Sequence, residues 1–349
     1  MMAVLVGIDE AGFGPILGPL VVSSSSFLVP GHFLELDSTG LPAVPPNDSS
    51  SSIVGNSGQA GSPHADLWHV LKRSVAKKRT QLSGRLLITD SKKAYSRSIG
   101  IKHLQRTVLA VLKCYGKEPA TLTELVKLLC PDYLGQLNEY PWHKNAINRE
   151  IFVDKAEITL ASMVFGEDLT SNGVKFLGLR SCCLDVAFYN KMISCMKNKA
   201  NVLFSVTSQL IKNAFDNYPG EDMHIIIDRQ GGRVHYREHL QRMFSEMQLC
   251  IIRETPQESI YQLITDGRIM RVHFIVGADE NFLPVSLASM VSKYLRELLV
   301  DNINCYFLHL CPDIKPTAGY WKDGLRFIKD LQVKAPHVKF NSDQLIRCR

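Results

Sequence analysis

The sequence has no C-x-x-C pair, and its nine cysteines are odd in number. Cys182 and Cys183 are adjacent, and the others are scattered through segments that read as core. Neither a disulfide scaffold nor a zinc site is suggested, and a reducing compartment fits better. No uncharged apolar stretch is long enough to span a bilayer, so no membrane contact is expected. The first apolar run lacks a basic flank and is stopped early by Asp9, which argues against a secretory signal and for a cytoplasmic protein. No internal repeat is present. A strong charge excess is missing too: 40 Lys and Arg stand against 34 Asp and Glu, a formal net charge of +6. That balance admits a polyanionic partner without requiring one.

What is there is an ordinary globular composition over 349 residues, 45% hydrophobic and 21% charged, long enough to bury a large core. Ala3 to Ile8 and Leu17 to Phe27 read as an antiparallel strand pair about a turn holding Gly12, Gly14 and Pro15. From Val29 to Pro63 the composition turns to Pro, Ser and Gly, which predicts a flexible surface insertion. Asp66 to Lys78 has one apolar helical face, Arg85 to Thr89 is strand-like, and Asp90-Ser91-Lys92-Lys93 is a polar turn. Helices are expected at Lys102 to Tyr115 and Thr121 to Leu129, then a strand at Val174 to Leu179 and a long helix, whole or with one break, over Leu184 to Phe215.

His224 to Ile227 reads as a fully buried parallel strand leading into Asp228. A helix near Tyr236 to Met247, a strand at Leu249 to Arg253 and a hairpin of Ile260 to Leu263 with Met270 to Val276 follow. Pro284 suits the first turn of a helix running to about Val300. Together these predict an α/β fold, a mixed sheet with helices on its faces.

Asp9 and Glu10 end an apolar strand just before a glycine turn, and Asp228 ends Ile225-Ile226-Ile227 in the same way. Ionising a carboxylate at the end of a buried strand is costly unless something compensates, and a divalent cation does so. Sites in open α/β sheets gather beyond the carboxyl ends of the strands. If the first strand and the Asp228 strand lie parallel and adjacent, their acids project from one edge. The plain alternative is that each acid accepts backbone N–H bonds in its own turn. Composition leaves both open.

Gly7-Ile8-Asp9-Glu10-Ala11-Gly12-Phe13-Gly14-Pro15, continuing through Gly18-Pro19-Leu20-Val21-Val22, resembles the opening signature of the type 2 ribonucleases H. Asp90-Ser91-Lys92-Lys93 is similar to that family's second motif and Ile227-Asp228 to its third. The fourth corresponds to Asp279-Glu280-Asn281, with Ser286 seven residues and Lys293 fourteen residues after Asp279. The motifs occur in the family's order over most of the chain, although the match between them is weak.

The resemblance implies a ribonuclease H-like mixed five-stranded sheet flanked by helices, with a C-terminal helical extension. The catalytic domain would span 1–300, with insertions at about 29–63 (flexible) and 100–150 (helical), and the extension 301–349. It further implies that Asp9, Glu10, Asp228 and Asp279 hold two divalent ions, Mg²⁺ or Mn²⁺, with Asp9 bridging both and Glu280 an alternative to Asp279. Gly12, Phe13, Gly14, Lys92, Lys93 and Lys293 would contact the substrate backbone. The expected activity is that of a monomeric endonuclease hydrolysing the RNA strand of an RNA–DNA hybrid. Action on another duplex or structured DNA, or non-catalytic nucleic-acid binding, are the alternatives.

Two positions depart from the family. Phe13 stands where the family has Arg, and Cys311 stands where it has the Tyr that packs against the ribose. Tyr306 and Tyr320 are nearby but out of register. Elsewhere, His235 and His239 have helical i, i+4 spacing but no third ligand, and read as surface or cap residues. Trp142 reads as a buried anchor before a base-stacking ring.

Overall fold

The computed structural model describes residues 2–34, 66–96, 98–144, 149–265 and 267–348. Most of the expected insertion at 29–63 falls outside these residues. Its first part does not: the second strand runs on to Pro30, and Gly31–Leu34 forms a 3-10 turn.

Seven strands make one sheet: β1 (Met2–Ala11), β2 (Leu20–Pro30), β3 (Lys175–Leu184), β4 (Asp222–Asp228), β5 (Gln248–Glu254), β6 (Glu258–Thr265) and β7 (Arg268–Ile275). Their order is β3-β2-β1-β4-β7-β6-β5. The β1–β4 and β4–β7 pairs are parallel, and the others are antiparallel. The mixed sheet flanked by helices is therefore as expected, but it has seven strands where five were expected. β7 joins β4 in parallel, and β6 and β5 then extend the sheet beyond it by antiparallel pairing, which needs only short connections.

Side chains alternate across β1. Ala3 and Leu5 belong to the core under the long helix Leu283–Leu310, while Val4, Val6 and Ile8 face the helices Val186–Met196, Lys199–Asn217 and Arg237–Met243. The long helix lies very close to the sheet. A Cβ on Gly7 would sit 2.2 Å from both Pro284 C and Val285 N, so only glycine allows this contact. Ser25 of β2 donates to Pro284 O at 2.7 Å, which satisfies a carbonyl in the same contact.

Several local expectations change. The helix expected over Asp66 to Lys78 covers only Leu67–Val70. Asp168 accepts from both the backbone N–H (2.9 Å) and the hydroxyl (2.8 Å) of Ser74, and the chain turns there into a short strand, Val75–Ala76. That strand pairs with Leu86–Leu87 in a separate two-stranded sheet. The break in the helix over 184–215 falls at Lys197, which is left-handed with φ 52°, beside Asn198, which caps the following helix. The helix Lys155–Ser171 was not expected from sequence. Its apolar residues lie on all sides: Ile158, Ala161, Phe165 and Leu169 are buried, while Leu160, Met163 and Val164 are exposed. Such a pattern leaves no single stripe to read.

The long helix continues to Leu310, through residue 300, where the domain boundary was expected. Beyond it, Trp321–Lys334 and Ser342–Leu345 are helical. Ile303, Phe307, Phe327 and Leu345 pack with Ile16 and Leu17 in a third core directly under the glycine-rich turn. Trp142 is buried among Tyr140, Tyr306 and Phe307, as an anchor should be. His235 precedes the helix Arg237–Met243 and bonds Glu254 at 2.9 Å, whereas His239 lies against Phe204. Among the described residues no helix is long and apolar enough to cross a membrane.

Replacing Gly7 with Ala forces the strand and the long helix apart. We expect a loss of about 1–3 kcal/mol, the usual cost of overpacking. Gly135→Ala serves as control, since a Cβ there meets nothing within 4 Å. Urea midpoints of the two variants test this; equal midpoints would show that the sheet and helix are not in rigid contact.

Candidate carboxylate site

The register of β1 against β4 places Ile8 beside Ile227, so Asp9 and Asp228 leave adjacent parallel strands at the same edge. β7 ends at Ile275, opposite Asp228, and turns through Gly277 (φ 66°) into the short helix Ala278–Asn281. That turn brings Asp279 back over the ends of β1 and β4, and Ala278 N–H donates to Asp228 Oδ1 at 2.8 Å. Ser286 Oγ donates to Asp279 O, tying the turn to the long helix. The four predicted acids therefore share one edge.

Their charges act on one another. Asp9 is 6% exposed, and burial, then the charges of Glu10 and Asp228, hold its carboxyl well above the usual aspartate range against a hydrogen bond from Ser289. Burial and then Asp228 push Glu10 up to about 7. Burial, Asp228 and Asp90 push Asp279 up to about 6. Burial raises Asp228 as well, although the backbone N–H groups of Ala278, Gly277 and Asp279, together with Lys92, pull the other way. Four acids whose ionisation is disfavoured together form a site that favours positive charge.

Lys92 supplies part of that charge. Burial works against its ammonium, but Asp90, Asp279, Asp9 and Asp228 together hold it above the ordinary lysine range. Lys93 turns away and pairs with Glu280 at 2.8 Å, both half exposed. The same pair settles the geometry of the neighbouring acids: Asp279 is 9% exposed and faces the cluster, whereas Glu280 points out to Lys93. Lys293 is not drawn into the cluster either. Its ammonium bonds Glu297 at 2.7 Å and lies over the Tyr95 ring at 4.6 Å. Gly12 is in the left-handed region at φ 94°, Gly14 is exposed, and Phe13 packs partly against the second core.

Several residues enter that sequence reasoning did not assign. Asp90 is buried, caps the short helix Ser91–Ala94 through Lys92 N–H at 2.9 Å, and adds a fifth negative charge beside Asp279. Its Asx-type cap was legible in Asp90-Ser91-Lys92, but its nearness to Asp279 was not. A chain of hydroxyls supports Asp9 from below. Ser292 Oγ donates to Asp9 O at 3.0 Å and contacts Ser23 Oγ at 2.8 Å, and Ser23 in turn contacts Ser181 Oγ at 2.8 Å. Four consecutive serines inside an apolar strand, Ser23 to Ser26, were the available signal.

The acids do not close into a cage as placed. Asp9 Oδ1 accepts its neighbour's backbone N–H (Glu10, 2.7 Å) and Asp228 Oδ1 accepts that of Ala278, so each is turned partly toward backbone. Among the described residues no three His, Cys, Asp or Glu side chains form a group that could hold a metal ion. The chemistry of the set still suits one: every donor is a hard carboxylate oxygen, and the charges raise one another's affinity for protons and hence for cations.

No protein-family model and no curated protein matches the chain. Among solved structures it is similar to RNase HII from Archaeoglobus fulgidus, determined in a complex with PCNA, at 14% identity and a TM-score of 0.43, covering 99% of this chain and 94% of that one. It is also similar to ribonuclease H2 from Pyrococcus horikoshii OT3, at 12% identity and a TM-score of 0.39, covering 98% and 92%. A third similarity is to Bst-RNase HIII in complex with Mn²⁺, at 12% identity and a TM-score of 0.33, covering 87% of this chain and 55% of that one.

The raised carboxyls make a prediction for the metal-free protein. Glu10 moves from 4.5 to about 7 on folding, so its favourable contribution is full below pH 4.5 and is lost as pH rises through about 7. Glu10→Gln should therefore melt a few degrees above wild type at pH 8 in chelator, and the gain should vanish near pH 4. A gain independent of pH would mean that the four acids do not interact as described.

Proposed function

We propose that the chain is a metal-dependent nuclease of ribonuclease H type that hydrolyses the RNA strand of an RNA–DNA hybrid. The single observation that carries this reading is the convergence of Asp9, Glu10, Asp228 and Asp279, from three separate chain segments, on the carboxyl edge of adjacent parallel strands. The motif resemblance supplies the chemistry such a cluster would serve. Asp9, Glu10, Asp228 and Asp279 would hold Mg²⁺ or Mn²⁺, which when bound supplies Lewis-acid stabilisation and an activated water for phosphodiester hydrolysis. Lys92, the cation already among the acids, would neutralise a substrate phosphate at the same edge, and the Gly12–Gly14 turn would let the nucleic-acid backbone approach.

Lys93 and Lys293, engaged by Glu280 and Glu297, are weaker candidates for phosphate contact than Lys92. Glu280 is likewise a weaker candidate ligand than Asp279. Cys311, in the position of the family's tyrosine, is 7% exposed and ends the long helix inside the third core. It offers no ring and only a weak thiol donor. Tyr306 packs in the Trp142 and Phe307 cluster, while Tyr320 is 51% exposed beside Arg296, next to the glycine-rich turn. Tyr320 is therefore the better candidate for a ring that meets a sugar.

Cleavage is tested with Mg²⁺ and Mn²⁺ on hybrid, duplex DNA, duplex RNA and single-ribonucleotide substrates. The hybrid should be cut, and Asp9→Asn should lower turnover by at least about a thousand-fold while the fold persists. Asp9→Asn turnover near wild type would remove the assignment of the centre, and preferential cutting of duplex DNA would favour the alternative substrate.

Loss of Arg at position 13 and of Tyr at 311 also bears on specificity. Rejecting a deoxy sugar strongly requires buried groups that the 2′-OH alone satisfies. We expect kcat/KM on a single embedded ribonucleotide to fall well below that on a tract of several. Equal values would be the contrary result, and a drop confined to Tyr320→Phe would then locate the missing contact.

A further inference from the structure

The turn that follows Asp9 and Glu10 is held from beneath by a residue far away in sequence. Arg347 is 4% exposed, and its guanidinium donates to Gly18 O through Nε (2.8 Å) and Nη2 (2.5 Å). Nη1 donates to Gly12 O and, at 3.4 Å, to Pro15 O. The backbone joins in: Arg347 N–H donates to Ile16 O at 2.9 Å, and Ile346 pairs with Leu17. Asn190 fixes the segment on both sides, donating to Ile346 O at 2.9 Å and accepting from Cys348 N–H at 2.8 Å. The Tyr189 ring lies 4.8 Å from the guanidinium carbon.

A second buried arginine completes the arrangement. Arg296 of the long helix donates to Ala318 O (3.0 Å) and Leu17 O (3.5 Å), and Gly319 O accepts from Ile16 N–H (2.8 Å) and Leu17 N–H (3.2 Å). Arg296 has a carboxylate partner, Glu297 at 3.0 Å, whereas the hydrogen bonds of the Arg347 guanidinium go to backbone carbonyls. Burying a guanidinium is costly, and one that accepts this cost to bind three carbonyls of a single turn acts on the shape of that turn. The peptide group is planar and trans, so a carbonyl pulled inward turns the following N–H outward. With Gly12 O held by Arg347, Phe13 N–H is turned away from the core, and among the described residues it meets no acceptor.

We propose that Arg347 is a positioning residue for substrate: its guanidinium locks the Gly12–Gly18 turn so that Phe13 N–H is presented to a phosphodiester oxygen beside the carboxylate edge. The proposal rests on the nuclease reading for the identity of the ligand. Arginine suits the role because its planar fork spreads donors from Nε, Nη1 and Nη2 in fixed directions over the turn, whereas lysine offers one compact ammonium. It also gives a chain with Phe13 between the two glycines a fixed positive charge beneath the turn.

The test compares full-length wild type, Arg347→Met and Arg347→Lys by amide hydrogen exchange and by hybrid-duplex binding in chelator, which needs no cleavage. In Arg347→Met, the amides of Ile16 and Leu17, which donate to Gly319 O, should exchange at least about ten-fold faster, while β1 and the long helix keep their protection. Duplex affinity should fall about ten-fold, the value of one charge-assisted contact. In cleavage with Mg²⁺ the loss should fall on KM more than on kcat. Arg347→Lys should recover part of the loss, and it carries the test alone should Arg347→Met fail to fold. Unchanged exchange and affinity in both variants, or exchange accelerated evenly through every strand, would overturn the proposal. A wild type that cuts no substrate, with the local exchange difference intact, would instead strike the nuclease reading and leave Arg347 as the organiser of the turn.

Discussion

The close approach of the helix Leu283–Leu310 to β1 and β2 governs the rest of this structure, because serines of that helix hold both Asp9 and the Asp279 turn. A backbone-to-backbone distance this short demands a residue without a side chain at Gly7 and small hydroxyl residues along β2. Once the helix lies there, Ser286, Ser289 and Ser292 reach the Asp279 turn, Asp9 itself and the Asp9 carbonyl. At the contact itself, the hydroxyls of Ser25, Ser286 and Ser292 each donate to a buried backbone carbonyl, those of Pro284, Asp279 and Asp9.

The same packing creates the electrostatic tension at the edge. Burial disfavours each carboxylate singly, and the parallel register of β1 and β4 then forces the charges together. A single lysine, Lys92, cannot offset four acids, and a fifth, Asp90, adds to the excess. The protein bears this imbalance because stability lost at one edge is small beside the apolar burial on the two faces of the sheet. Such an edge favours positive charge over negative.

A second contrast lies in the two ends of the glycine-rich turn. Its first half faces solvent, with Gly14 exposed, while its second half is built into a core made by Ile303, Phe307, Phe327 and Leu345. The residues beyond 300 are thereby part of the support of the turn as well as an appendage to the sheet. Arg296 and Arg347 mark the junction, where backbone carbonyls of the turn have no strand partner and two guanidiniums satisfy them.

Much of this was determined by local sequence. Strand-end acids show because a period of β-branched residues stops abruptly at Asp9 and Asp228, and a glycine turn shows because no other residue tolerates its backbone. A run apolar on both faces marks β4 as a buried strand, whereas its parallel pairing with β1 is decided by the fold. Other features could only be decided in three dimensions. Lys293 has the right spacing along its helix, yet Glu297, one turn further, takes its charge. Lys93 and Glu280 are 187 residues apart and neutralise each other. The buried stripe of the helix Lys155–Ser171 is masked because Leu160, Met163 and Val164 on its exposed side are apolar too, and Arg347 is an ordinary basic residue until the fold sets it under Gly12. Sequence spacing determines what a residue can reach along its own element. Which charge or carbonyl it meets from elsewhere is set by packing, since the pairing energies act through space between segments that share no local pattern.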